Sequence, residues 1–452
     1  MKPLLIIHGW SDDCYSFLPL ADAIAAAGRD VDSLYLGDYV SLDDDVRIRD
    51  LVAGLSRAWR QKKLPDSPRS VDVIVHSTGG LVIRDWMDTE YVSKGLKPPI
   101  HNLVMLAPAN FGSPLAHKGR ALYGRVIKGF KSRKPLQTGT HILKALEIAS
   151  PYSWDLAERD RFSDNAMSAS GVRTTVLVGN TGYRGISSLA NESGSDGTVY
   201  VATANLNCAN VQIHFPEGDR KPRVTAIREP KGETAFLVKD GFDHSSIALK
   251  DPQHPGNAEL LQNILEALSI TNATDFKRWV VKCQQQSDAV TARHASNRDE
   301  YKHGFQNTVF RVRDNYGFHV CDYVIEFYHD VDSTKDRLAE LFNKKALQKV
   351  HAYKDDSALR SFMIDCSELY RIIEQQGKPL SISLSALPDL NIEENMAGYC
   401  SFGNEDIGEM ELDAVAVRRF FAPNRTLFVD LTLTRLQKDE LFTIRKRQEA
   451  SG

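Results

Sequence analysis

The first 270 residues alternate between continuous apolar runs and stretches whose apolar residues recur at helical spacing. The apolar runs cover residues 4–7, 31–36, 71–75, 103–106 and 172–178. Continuous apolar runs are typical of parallel strands, which are buried on both faces between layers of helices. The pattern therefore predicts an α/β fold over residues 1–270, with a doubly wound and mostly parallel sheet.

Beyond residue 305 the apolar positions recur with a period of two, as expected for half-buried strands. The predicted strands cover residues 308–313, 320–328, 362–366, 380–385, 412–417 and 426–433. Short strands separated by turn residues are typical of a β-sandwich. We therefore predict a β-sandwich-like accessory domain over residues 306–452, joined to the first domain by a linker or connector over residues 271–305.

An insertion of about fifty residues, within residues 114–170, separates two predicted strands of the parallel sheet. Its pattern is helical, and insertions at such positions commonly form lids over active sites. Apolar residues at helical spacing are Leu115, Leu122, Val126, Ile127 and Phe130. Basic residues in the same segment are Arg120, Arg125, Lys128, Lys131, Arg133 and Lys134. The combination predicts a helical lid that lies at an anionic lipid interface; alternatively, the apolar stripe packs on the core and the basic residues stay in water.

The run 71–87 changes from a strand pattern to a helical pattern at His-Ser-Thr-Gly-Gly, residues 76–80. A serine at a strand-to-helix corner exposes its hydroxyl to a base, and the first turn of the helix directs N–H groups at an oxyanion. Ser77 is therefore the candidate nucleophile. Val75 stands where this type of corner usually has glycine, so we expect a slightly opened turn. A structural explanation, in which a buried strand leads into a capped helix, remains open at this point.

A second motif follows the first predicted strand, where the sequence reads His-Gly-Trp at residues 8–10. In serine hydrolases built on a parallel sheet, the residue after such a His-Gly pair offers its backbone N–H to the oxyanion, as does the residue after the nucleophile. The candidate oxyanion donors are therefore Trp10 and Thr78. The alternative for the first motif is a tight turn whose aromatic side chain covers the end of the sheet.

Length and composition narrow the class of protein. A chain of 452 residues is expected to form two domains, and its 42% hydrophobic and 25% charged residues are ordinary for a water-soluble protein. The net charge of -3 argues against a general nucleic-acid-binding protein. No apolar run approaches the length of a membrane span, and the N-terminus lacks the features of a Sec signal peptide. We therefore expect a soluble protein, cytoplasmic or exported without a Sec signal, that can contact a membrane peripherally.

No residue pattern calls for a cofactor or a metal ion. The six cysteines are scattered and show no metal-ligand spacing. The run His-Asp-Val-Asp at residues 329–332 could form a metal-binding loop, but a solvated turn explains it more simply.

With the sequence Ala-Pro-Ala-Asn-Phe-Gly-Ser-Pro-Leu at residues 107–115, the chain resembles the α/β-hydrolase lipases, a group that includes bacterial lipases, phospholipases and related acyltransferases. The resemblance covers roughly residues 1–268 and is carried by this loop, the His-Gly-Trp motif, the Ser77 corner and two later stretches. It implies an α/β-hydrolase fold with a lid, and a Ser-His-Asp triad in the chain order nucleophile, acid, base.

The two later stretches contain the residues that the resemblance implies as acid and base. Asn-Glu-Ser-Gly-Ser-Asp-Gly-Thr-Val at residues 191–199 is similar to the turn that carries the acid, here Asp196. Asp-Gly-Phe-Asp-His-Ser-Ser-Ile at residues 240–247 is similar to the loop that carries the base, here His244. Asp240 and Asp243 are rival acids close in sequence to His244.

These motifs together predict an enzyme that hydrolyses carboxylic esters of lipids through an acyl-enzyme, a lipase or phospholipase A acting at a membrane or lipid interface. Two alternatives remain: an acyltransferase with the same triad, which passes the acyl group to an alcohol instead of water, and a catalytically inactive protein that binds lipid or a partner. The accessory domain could dock on a membrane or on a protein, but this expectation is based on analogy between folds alone.

Overall fold

The computed structural model describes residues 2–116, 138–216, 221–296, 300–329, 336–391, 393–407 and 412–447. The chain forms two compact units. The first consists of Met1–Ala209, Arg228–Asn307 and Pro423–Thr426, and the second consists of Asn210–Ile227, Thr308–Ala422 and Leu427–Gly452.

The secondary-structure elements follow one another in an alternating order through the first unit. The β-strands are β1 (Leu4–Ile7), β2 (Leu34–Gly37), β3 (Val71–His76), β4 (Ile100–Leu106), β5 (Arg173–Gly179), β6 (Ala209–Phe215), β7 (Arg223–Arg228), β8 (Ala235–Lys239), β9 (Phe305–Asp314), β10 (Tyr323–Tyr328), β11 (Leu347–Ala352), β12 (Leu359–Asp365), β13 (Ser381–Ala386), β14 (Ala397–Tyr399), β15 (Arg425–Leu433) and β16 (Arg435–Gln437). The α-helices are α1 (Leu18–Ala26), α2 (Ile48–Gln61), α3 (Gly79–Glu90), α4 (Thr140–Leu146), α5 (Pro151–Asp160), α6 (Val201–Ala204), α7 (Asn257–Ser269), α8 (Ala273–Ser296), α9 (Arg337–Leu341), α10 (Cys366–Gln376), α11 (Asn404–Ile407) and α12 (Ala414–Phe420).

The first unit is built on a six-stranded sheet with the strand order β2-β1-β3-β4-β5-β8. Each neighbouring pair of strands is parallel, which confirms the predicted α/β architecture. The central strands β3, β4 and β5 are buried along their whole length, as expected when helices cover both faces. Ile7 at the end of β1 pairs with Val75 near the end of β3. This register brings the loop after β1 and the corner after β3 to the same edge of the sheet.

Residues 273–296, most of the predicted connector, form the 24-residue helix α8, which packs on β8. Its buried face includes Phe276, Trp279 and Cys283, and the indole of Trp279 donates a hydrogen bond of 3.0 Å to Thr175 Oγ1 on β5. Polar residues dominate the exposed face of this helix. Its sequence therefore resembles a polar connector although one stripe is buried in the first unit.

The second unit is β-rich, as predicted, with a six-stranded sheet in the order β11-β12-β9-β15-β6-β7 and a two-stranded sheet of β10 and β13. It also contains α10 and α12, which the period-two pattern does not predict. The predicted strand at 412–417 is wrong, because α12 begins at Ala414. Asp413 caps this helix by accepting hydrogen bonds from the N–H groups of Val415 and Ala416.

The division into units differs from the boundary predicted near residue 270. Residues 210–227 belong to the second unit and carry most of β6 and β7. These strands continue the second sheet beyond β15. Patterns along the sequence define contiguous segments, so they cannot reveal a hairpin that leaves one unit to join the sheet of the other.

Part of the predicted lid region is described. Helices α4 and α5 follow residue 139, whereas residues 117–137, which carry the predicted basic residues Arg120, Arg125, Lys128, Lys131, Arg133 and Lys134, lie outside the described residues. Across the described ranges, no helix combines the length and the apolar character that a membrane span requires.

Candidate active site

Ser77 lies at the corner between β3 and α3 in the left-handed region, with φ of 54°. A non-glycine residue with positive φ is strained, and such strain is typical of a nucleophile placed on a sharp strand-to-helix turn. The N–H of Ser77 donates to the carbonyl of Leu106 at the end of β4 at 3.1 Å, which fixes the corner against the sheet. A Cβ at Gly79 would lie 3.0 Å from the His8 carbonyl and 3.4 Å from Val75 Cβ. Glycine at 79 therefore lets the helix approach β1 closely, and Val75 is accommodated.

The loop after β1 lies directly against the serine. A Cβ at Gly9 would lie 2.7 Å from Ser77 Cβ and 3.3 Å from Ser77 Oγ, so only glycine permits this approach. Trp10, the next residue, is buried, and its indole donates a hydrogen bond of 3.1 Å to the Thr138 carbonyl. Thr78 is fully buried, and within the described residues its backbone N–H finds no acceptor. The structure thus brings both predicted oxyanion donors to Ser77.

His244 and Asp196 form a buried pair in the first unit. His244 Nδ1 lies 2.8 Å from Asp196 Oδ2, and the His244 N–H donates to the Asp196 carbonyl at 2.9 Å. The other carboxylate oxygen, Oδ1, accepts from the N–H groups of Thr198 at 2.9 Å and Val199 at 2.7 Å. With both oxygens engaged, the carboxylate orients the imidazole ring through Nδ1, which leaves Nε2 as the proton acceptor.

The rival acids have other partners. Asp240 pairs with Arg293 at 2.7 Å, with His294 at 3.0 Å and with Lys302 at 3.1 Å. Burial raises the pKa of Asp240, but hydrogen bonds from Lys302 and Asn180 outweigh burial and lower this pKa to about 2.

Asp243 Oδ1 accepts from Ser246 N–H at 2.8 Å and from Ser245 N–H at 3.0 Å, so this carboxylate closes the turn after His244. The structure therefore brings Asp196, and neither Asp240 nor Asp243, to the imidazole.

His76, the residue before Ser77, is a buried contact that the sequence analysis did not single out. Its Nε2 donates to the His244 carbonyl at 3.0 Å, and the two imidazole rings lie 4.5 Å apart between centroids. Burial and the neighbouring His244 lower the pKa of His76 to about 4, so the ring is neutral at neutral pH. A histidine at the end of an otherwise apolar strand is the sequence signal that could have identified it.

Asp12 joins His76 to the loop that carries His244. Its Oδ2 lies 3.6 Å from His76 Nδ1 and 2.7 Å from Lys250 Nζ. Burial alone would raise the pKa of Asp12, but the contacts with His76 and Lys250 hold it well below its usual range. Asp12 is therefore an anion that connects the loop after β1, the end of β3 and the loop after His244.

The loop after β4, which carries the Asn-Phe-Gly-Ser-Pro sequence, braces the acid turn. Ser113 Oγ donates to the Thr198 carbonyl at 2.5 Å, and the Phe111 N–H donates to the Thr203 carbonyl at 2.9 Å. In the described part of the chain, no group of three or more His, Cys, Asp or Glu side chains is arranged to hold a metal ion. Asp330, Val331 and Asp332 of the weighed metal loop lie outside the described residues.

No protein-family model matches this chain, and no curated protein matches it by sequence. Solved structures are similar to it. Phospholipase PlaB from Legionella pneumophila in complex with thio-NAD has a TM-score of 0.84 at 24% identity, covering 99% of this chain and 97% of that chain. Another structure of PlaB has a TM-score of 0.83 at 25% identity, covering 99% of this chain and 96% of that chain. The mature lipase BlEst2 from Bacillus licheniformis has a TM-score of 0.36 at 14% identity, over 57% of this chain and 91% of that chain.

The fold and the site define the class of protein: this chain is a serine ester hydrolase with an α/β-hydrolase fold and a β-rich second unit. The similarity to the PlaB structures extends over nearly the whole chain, so it includes the second unit.

Proposed function

We propose that this enzyme hydrolyses carboxylic esters of lipids with Ser77 as the nucleophile, His244 as the general base and Asp196 as the acid that orients the histidine. The observation that carries the proposal is the buried 2.8 Å contact between His244 Nδ1 and Asp196 Oδ2. It occurs at the sheet edge where Ser77 has the strained backbone of a nucleophile. Structural pairs of histidine and aspartate are common, but few lie beside such a serine.

The proposed reaction has two steps. Ser77 Oγ attacks the ester carbonyl carbon while its proton passes to His244 Nε2, and the backbone N–H groups of Trp10 and Thr78 stabilise the oxyanion. The protonated His244 then gives this proton to the departing alkoxide, which leaves as an alcohol. In the second step His244 deprotonates a water molecule that attacks the acyl-serine, and the carboxylic acid is released.

Within lipids, we favour phospholipid over triglyceride as the substrate. The support is the similarity, over nearly the whole chain, to structures of an enzyme named as a phospholipase. The decisive experiment is hydrolysis of a panel of p-nitrophenyl esters, triglycerides and phospholipids by the pure protein, with Ser77→Ala as the blank. Hydrolysis of phospholipid that Ser77→Ala abolishes supports the proposal. Absence of ester hydrolysis from every substrate would leave the inactive, lipid-binding alternative.

An acyltransferase would use the same residues, because the two activities differ only in the acceptor of the acyl group. Product analysis with and without an added alcohol separates them: transfer gives a new ester at the expense of the free acid.

We further propose that the basic segment of the lid attracts the enzyme to anionic lipid, because each basic residue near such a surface contributes about 1 kcal/mol. The test compares vesicles with and without anionic lipid, at low and high salt, for the wild type and for a variant with Lys128, Lys131, Arg133 and Lys134 changed to Gln. Equal rates under all of these conditions would contradict attraction by the lid, while leaving the chemistry at Ser77 untouched.

A further inference from the structure

The first unit contains an apolar cavity of about 520 Å³ between the edge strand β2 and helix α2. Its size lies within the range of roughly 300–1,000 Å³ that is usual for small-molecule sites. Its lining includes Leu5, Ile7, Leu36, Leu51, Leu55 and Trp59. A cavity in a core normally closes by collapse of the surrounding side chains, so an apolar space of this size needs something that keeps it open.

Gly54 is one such feature. It lies in the middle of α2, where glycine destabilises a helix by about 1 kcal/mol relative to alanine. It also lines the cavity, and a Cβ added to it would meet no atom within 4 Å. The glycine therefore leaves empty space where any other residue would place a side chain.

The charged residues of the lining do not prepare the cavity for a polar ligand. Asp38 Oδ1 binds His8 Nε2 at 2.8 Å, Asp50 accepts from the Arg47 N–H at 2.9 Å, and Lys62 is exposed at the far end of α2. Tyr39 contributes one polar atom, a buried hydroxyl that has no hydrogen-bond partner within the described residues. The cavity thus offers an apolar interior and a single hydroxyl, which fits an alkyl chain that carries one carbonyl group.

The end of the cavity formed by residues 38–40 lies beside the candidate active site. The rings of Tyr39 and His8 stack with centroids 4.2 Å apart and an interplanar angle of 7°. His8 precedes Gly9, which lies against Ser77. An ester whose carbonyl carbon is at Ser77 can therefore extend its acyl chain toward this end of the cavity.

We propose that the cavity between β2 and α2 binds the acyl chain of the ester substrate, and that Gly54 makes the enzyme selective for long chains. The inference rests on the proposed ester hydrolysis and specifies its substrate class. A chain that enters the cavity leaves water and contacts apolar side chains along its length, so each further methylene strengthens binding. A short-chain ester does not reach past Tyr39 and gains nothing.

The test is the Gly54→Leu variant, which fills the middle of the cavity and raises the helix propensity of α2. The measured quantity is kcat/KM for p-nitrophenyl laurate divided by kcat/KM for p-nitrophenyl butyrate. We expect this ratio to fall by at least roughly tenfold, as is typical when part of an apolar substrate is excluded from its pocket. Ala53→Leu is the matched control, because it adds the same side chain to the exposed neighbouring position of α2. Its ratio should stay within about twofold of the wild type.

A second variant guards against misfolding of the first. Val40 lines the active-site end of the cavity and is 63% exposed, so Val40→Asp places a charge there without disturbing the core. It should lower the same ratio. Ratios that stay at the wild-type value in both variants would overturn the proposal. A change of oligomeric state in Gly54→Leu with an unchanged ratio would do the same, since it would indicate a second copy of the chain at this surface.

If the wild type hydrolyses no ester, the proposed function fails, and calorimetry decides the cavity separately. Lauric acid is titrated into Ser77→Ala and into Ser77→Ala combined with Gly54→Leu. Binding by the first protein that the second loses supports an acyl-chain site. Absence of binding by both proteins, or equal binding by both, overturns it.

Discussion

Both units of this enzyme are built on a six-stranded sheet, but the two sheets differ in how they meet solvent. In the first unit the central strands are buried along their whole length. In the second unit the edge strand β11 alternates between half-buried and exposed residues, and β7 is largely exposed. A parallel sheet covered on both faces presents its loops at one edge, and this edge is where ligands bind in such folds. The comparison shows why the candidate chemistry collects in the first unit.

The largest expected effect comes from the nucleophile. Ser77→Ala should lower kcat by roughly 10³-fold or more, because the acyl-enzyme route is lost and only binding and oxyanion stabilisation remain. The measurement is steady-state hydrolysis of a soluble ester. Ser357→Ala in the second unit is the matched control and should keep full activity. Labelling of a different serine by a fluorophosphonate would contradict the assignment.

His244→Ala should cost about as much as Ser77→Ala, and the double variant should be no slower than either single variant, because the residues act as a unit. Asp196→Asn should cost less, since the imidazole keeps its place but loses its charged partner. Asp240→Asn tests the alternative acid, which the structure pairs with Arg293, His294 and Lys302. An active Asp196→Ala together with an inactive Asp240→Ala would move the acid to that position.

The separability of the catalytic unit remains a prediction, and the structure sharpens its test. A chain that ends after residue 272 loses α8, whose Phe276 and Trp279 are buried in the first unit. Burial of each such aromatic side chain contributes on the order of 2 kcal/mol. We therefore expect a chain ending after Ser296, with residues 210–227 replaced by a short loop, to be several kcal/mol more stable. Urea unfolding measures the difference, and equal stability of the two proteins would contradict a role for α8.

The smallest expected effect is a pH dependence of stability due to His76. Its pKa is about 4 in the folded protein and near 6.5 when unfolded, so the unfolded state binds more protons between these values. The stability contributed by the neutral ring is complete above pH ~6.5 and is lost as pH falls toward about 4, by roughly 3 kcal/mol at most. His76→Gln should flatten this part of the profile in urea unfolding. Parallel wild-type and variant profiles would show that His76 is not buried in its neutral form.

Motifs predict the candidate site better than the periodic patterns predict the second unit. Ser77, Asp196 and His244 were each found because a nucleophile, its acid and its base occupy turns of restricted local sequence, and the structure brings them to one sheet edge. In the second unit, residues 412–417 fit a strand by period alone, yet Asp413 begins a helix there. A short apolar segment cannot distinguish the two, because tertiary packing decides which of its faces is buried.

The sequence by itself determined the alternation of buried strands and helices, the serine corner and the order of the candidate triad. These features depend on residues that are close together along the chain, so local sterics and periodicity specify them. Only the tertiary structure decided that Asp196 and not Asp240 meets His244, that residues 210–227 join the second sheet, and that Gly54 borders an empty apolar cavity. Each of these depends on contacts between residues distant in sequence, which are set by how the helices and strands pack and are not encoded in any one segment.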